Sequence, residues 1–61
     1  MNWEKLEGKR VFVLLNSGSK YTGNVKKVSD SNGKVFIELI EHMQGRSINF
    51  PIDQILQMEE K

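Results

Sequence analysis

Gly23 limits what this chain can fold into more than any other residue. It lies within Val11–Val25, which reads V-F-V-L-L-N-S-G-S-K-Y-T-G-N-V. Val11 to Leu15 has the β-branched and aromatic content of a pleated, at least half-buried surface. Asn16-Ser17-Gly18-Ser19 follows as a tight hairpin turn, with Gly18 free to take a positive φ. The returning run Tyr21-Thr22-Gly23-Asn24-Val25 carries Gly23 at its centre. A glycine inside a strand marks a sharp bend or the close approach of another backbone. A bent strand beside a short hairpin, in a chain of 61 residues, points to a small curled barrel.

Size raises a stability problem. A chain this short buries only about 60% of the surface its unfolded form exposes. Small scaffolds offset that with disulfides, a metal or self-association. There is no cysteine and one histidine, His42, so the sequence offers neither a disulfide nor a metal site, and association is the route left. The net charge of +1 leaves a nucleic-acid partner open, since the distribution of charge matters more than its sum. No run approaches the ~20 apolar residues of a membrane span, and M-N-W-E-K-L-E-G, acidic and without an apolar core, does not read as a signal peptide. A cytoplasmic location is expected.

One domain covers residues 1–61. Asn2 is placed to cap a short helix over Trp3–Glu7, with Gly8 as its stop. The second strand continues through Lys26-Lys27-Val28, where adjacent lysines mark a bulge or an emerging loop. Ser29-Asp30-Ser31-Asn32-Gly33 is a turn. Lys34–Glu41 is the third strand, with Val35, Ile37 and Leu39 on one face and Phe36, Glu38 and Ile40 on the other. That second face is too apolar to be wholly exposed and hints at an interface. His42-Met43-Gln44-Gly45 turns the chain into a fourth strand, Arg46–Phe50, which Pro51 ends. Ile52-Asp53-Gln54 makes one turn before a fifth strand, Ile55–Met58, and a solvated tail, Glu59-Glu60-Lys61. Two brief strands one turn apart are candidate open edges, and open edges pair with something.

Val11-x-Val13-x-Leu15-x-x-Gly18-x-x-Tyr21-x-Gly23-x-Val25 resembles the first motif of the Sm-like family, in spacing and in both glycines. The resemblance implies a short N-terminal helix on a strongly bent, five-stranded antiparallel barrel of SH3-like type. It also implies a homo-oligomeric ring of about five to seven subunits, closed by pairing the fourth strand of one with the fifth of the next. Arg46, Ser47, Ile48, Asn49, Phe50, Ile55, Leu56, Gln57 and Met58 are the corresponding interface residues. The family's RNA pocket is altered here. Asp30 lies one place later than the motif expects, and four residues beyond it stands Lys34 rather than Asn. Where the family's second motif has Arg-Gly, this chain has Pro51-Ile52, and the Lys-His pair of the bacterial branch is absent.

No catalytic constellation is visible. His42 stands alone, Asp30 and Asp53 lie in turns, and Glu38 and Glu41 face opposite ways on one strand. The chain reads as a non-enzyme without a cofactor. The resemblance implies single-stranded, U-rich RNA binding, as a chaperone or scaffold. Asp30, Ser31, Asn32 and Lys34 are its candidate contacts, with charge or stacking from Lys26, Lys27, Arg46 and His42. Two other readings compete: a protein-interaction ring that has given up RNA, and a monomeric SH3-like module that binds a peptide.

Overall fold

The computed structural model describes residues 3–61, so the expected Asn2 cap lies outside the described residues. Trp3–Leu6 forms a 3₁₀ helix, shorter and tighter than the expected helix over Trp3–Glu7. Five strands follow: β1 (Arg10–Leu15), β2 (Lys20–Ser31), β3 (Lys34–Glu41), β4 (Ser47–Pro51) and β5 (Ile55–Glu60). A second 3₁₀ turn, Ile52–Gln54, separates the last two. All pairings are antiparallel, in one sheet of order β4-β3-β2-β1-β5.

Alternation builds the core. Val11, Val13 and Leu15 from β1, Val25 from β2, Ile37 and Leu39 from β3 and Phe50 from β4 are buried on one face. Trp3, Leu6, Ile48 and Met58 pack against that cluster. The opposite face of β3 carries Phe36, Glu38 and Ile40, each half-buried, as the sequence pattern predicts.

The ends of the sheet must curve toward each other. β4 and β5 are its two outer strands, which would lie about 19 Å apart in a flat sheet. Yet only residues 52–54 join them, a link that reaches at most ~14 Å even when extended. The sheet bends most plainly in β2. Its register with β3 shifts between Val25 and Lys27, leaving Lys26 as the extra residue: of the bulge or emerging loop expected here, it is a bulge. Beyond the last β1 pair, groups that β2 turns away from β3 are taken up by the N-terminal segment. The Gly8 N–H donates to the Val25 carbonyl at 2.8 Å, and the Val28 N–H donates to Glu7 Oε2 at 2.8 Å.

Several strand limits differ from the sequence reading. Ser29, Asp30 and Ser31 pair with Phe36, Val35 and Lys34, so β2 runs on and the turn shrinks to Asn32-Gly33. These two residues have φ values of 54° and 78°, the left-handed pair of a type I′ turn. Arg46 lies outside β4, and Pro51 is its last residue. Glu59 and Glu60 belong to β5 because Phe12 and Val11 pair with them; they are not a loose tail. Gly33→Ala is expected to cost about 1 kcal/mol, the penalty of a Cβ in the left-handed region. Open space surrounds that position, so a urea titration reads the backbone term alone.

Candidate nucleic-acid and self-association surfaces

The structure separates the candidate RNA contacts into groups. Asp30, Ser31, Asn32 and Lys34 are exposed together at the tip of the β2–β3 hairpin. His42 and Arg46 are exposed at the other end of β3, about 23 Å away along a strand of this length. Lys26 and Lys27 lie between them, at the bulge.

Three of the candidate cations have carboxylate neighbours. Lys34 Nζ is 3.8 Å from Asp53 Oδ2, which draws the hairpin tip to the Ile52–Gln54 turn. Lys26 Nζ is 3.9 Å from Glu38 Oε2, an oxygen that also accepts a hydrogen bond from Ser47 Oγ at 2.8 Å. The Lys26 and Lys34 pairs are largely exposed, where such contacts contribute about 0–1 kcal/mol. A phosphate competes with them at small cost.

Arg46 is a different case. Its Nη2 donates to Glu41 Oε2 at 3.2 Å, and Glu41 is only 9% exposed. Glu41 Oε1 accepts the Gln44 N–H at 3.0 Å, while the Gly45 N–H donates to the Glu41 carbonyl at 2.9 Å. Glu41, through its buried carboxylate and its backbone carbonyl, therefore shapes the 42–46 turn and holds Arg46 to it. Glu38 and Glu41 face opposite ways, as expected, but only the first reaches the outer surface. The sequence offered one signal for the buried role: Glu41 shares the inward parity of Ile37 and Leu39.

Apart from Arg46, which precedes β4, the expected interface residues fall on the two edge strands. Among the described residues, β4 and β5 each pair on one side only. The register of β5 against β1 slips between Leu14 and Leu15, leaving Leu56 without a counterpart and 67% exposed. Beside it runs an apolar groove of about 400 Å³ between the first 3₁₀ helix and β5, lined by Trp3, Leu6, Leu56 and Met58 with Lys5 and Glu60 at its rim.

Among the described residues, no group of three His, Cys, Asp or Glu side chains could hold a metal ion. No helix among them is long and apolar enough to cross a membrane. Comparison with protein-family models, with curated proteins and with solved structures gives no match.

Proposed function

We propose that the chain is an Sm-like barrel subunit that assembles edge to edge into a cytoplasmic homo-oligomeric ring and binds single-stranded RNA. One observation carries this reading. Consecutive strands β4 and β5 lie at opposite ends of one bent sheet, and among the described residues each has an unpaired outer edge. These are the two strands that the Sm-like resemblance pairs between subunits, in a chain too small to rely on its core alone. A head-to-tail contact between such edges closes into a ring or runs on as a filament.

RNA binding is supported by the hairpin tip, which gathers Asp30, Ser31, Asn32 and Lys34 beside the Ile52–Gln54 turn. A ring repeats this tip once per subunit, so weak contacts to one strand of RNA add by avidity. Oligo-uridine filter binding at several salt concentrations tests it. Lys34→Gln is expected to weaken binding roughly tenfold at low salt and to flatten the salt dependence. Asp53→Asn, which releases Lys34, should tighten it. Affinity unmoved by both variants would refute the assignment.

A second reading, a protein-interaction ring without RNA, draws on the ion pairs. Lys26, Lys34 and Arg46 each already face a carboxylate, and Pro51-Ile52 supplies no charge where the family has Arg-Gly. A ring that ignores oligo-uridine in native mass spectrometry would favour it.

A further inference from the structure

Asn32 is the one asparagine of this chain that a glycine follows; Asn2, Asn16, Asn24 and Asn49 precede Trp3, Ser17, Val25 and Phe50. An Asn-Gly step can react with itself. The backbone nitrogen after the asparagine attacks the side-chain amide carbon, and glycine, lacking a Cβ, leaves that nitrogen uncrowded. Asn32 and Gly33 are both exposed, and open space surrounds Gly33. Among the described residues, neither the Asn32 side chain nor the Gly33 N–H has a hydrogen-bond partner.

The folded turn sets its geometry against that attack. Asn32 has a φ of 54°, and ψ in the left-handed region is roughly +30 to +60°. For an L-residue this places Cβ nearly anti to the Gly33 nitrogen across the Cα–C bond. Closing a five-membered ring needs the two nearly eclipsed. Side-chain rotation cannot supply the difference, because it lies in the main chain. That main chain is held on both sides by the pairs Ser31–Lys34 and Asp30–Val35, and by the Lys34–Asp53 ion pair.

We propose that Asn32-Gly33 is a deamidation site that the closed hairpin tip holds back, and that its reaction retires the tip as an RNA contact. The effect on RNA rests on the function proposed above; the chemistry stands without it. When the tip opens, the Gly33 nitrogen gives its proton to water or hydroxide, and its electron pair bonds to Asn32 Cγ. The Cγ–Nδ2 bond breaks, ammonia leaves with a proton from solvent, and a cyclic imide remains. Water then opens the ring at one of its two carbonyls. Opening at Cγ gives aspartate; opening at the main-chain carbonyl gives isoaspartate, with the chain routed through the former side chain. One water is taken up for each ammonia lost, and nothing is oxidised or reduced. Either product sets a negative charge beside Asp30 and takes the net charge from +1 to zero. Isoaspartate also adds a methylene to the main chain of a two-residue turn, so Ser31 and Lys34 lose their register. The change is one-way.

Peptide mapping by mass after incubation in mildly alkaline buffer, with and without urea, tests the chemistry. Exchange of amide for carboxyl should be confined to the peptide that holds Asn32. It should run roughly tenfold slower or more in the folded chain, where it waits on local opening. Equal rates with and without urea would overturn the protection. Faster reaction at Asn16, Asn24 or Asn49, or none at Asn32 in urea, would overturn the site. The reacted chain, separated by its charge, should then bind oligo-uridine roughly tenfold more weakly than fresh chain. Asn32→Asp, which adds the charge without the methylene, should fall between the two. Equal affinity of reacted and fresh chain would overturn the retirement of the tip. Fresh chain that ignores oligo-uridine would refute RNA binding, and with it that retirement, while the deamidation site is judged by the mapping alone.

Discussion

Gly23→Ala is expected to abolish folding of the isolated chain at room temperature. Gly23 is buried in the first half of β2, paired to Val11 on one side and Glu41 on the other. A Cβ there would run into the carbonyl oxygen of Ile40, and would lie 2.8 Å from the Ile40 carbonyl carbon and 3.0 Å from the Glu41 Cα. These are backbone atoms of a neighbouring strand, so no rotamer change relieves the overlap. Overpacking against side chains costs about 1–3 kcal/mol; against fixed backbone the cost exceeds that range. A chain of this length has roughly 3–9 kcal/mol of stability in total. Far-ultraviolet circular dichroism with a urea titration reads the result. A Gly23→Ala protein with a midpoint near that of Gly33→Ala would show that the approach of β3 to β2 is looser than described.

Leu39→Ala should cost about 2–5 kcal/mol, the range for removing a fully buried leucine. Leu39 is inaccessible to solvent and in register between Val25 of β2 and Ile48 of β4, so the cavity would open at the centre of the sheet. Leu56→Ala provides the contrast. In the isolated chain an exposed side chain of this kind changes stability by at most about 0.5 kcal/mol, yet Leu56 lies on β5, one of the two edge strands through which assembly is proposed. The two variants separate folding from assembly. Leu39→Ala should lower the unfolding midpoint at every protein concentration. Leu56→Ala should lower only the component that rises with concentration. Equal midpoints for Leu39→Ala and the parent chain would contradict the burial assigned to Leu39.

The strand content was legible because apolar alternation is strong in Val11–Leu15 and Lys34–Glu41, and because Asn32-Gly33 and Gly23 have backbone reasons to be where they are. The double-lysine bulge was legible for the same reason: adjacent like residues on a strand break its face alternation. Strand ends were not. Ser29-Asp30-Ser31 is as polar as a loop, and only the partner residues Lys34, Val35 and Phe36 turn it into strand. Glu59 and Glu60 are ordered by pairing to β1, a contact between distant parts of the chain that local composition does not encode. The candidate site was legible as a set of residue types, not as an arrangement. Nothing in the spacing says that Asp53 reaches Lys34, or that Glu7 accepts the Val28 N–H across 21 positions. Nor does it show that a buried Glu41 commits Arg46 to shaping a turn.

The pairing of β1 with β5 also has a kinetic consequence. The hairpins β1–β2 and β2–β3 join neighbouring segments and can form early, whereas Val11 meets Glu60 only after nearly the whole chain has been closed into one loop. The entropy of that closure is spent before the contacts it makes are gained. Refolding should therefore take milliseconds or longer despite the small size, with a transition state in which the three central strands are formed and β5 is still searching. During that interval the edges of β1 and β4 are both uncovered, and a crowded solution of refolding chains offers each of them the wrong partner.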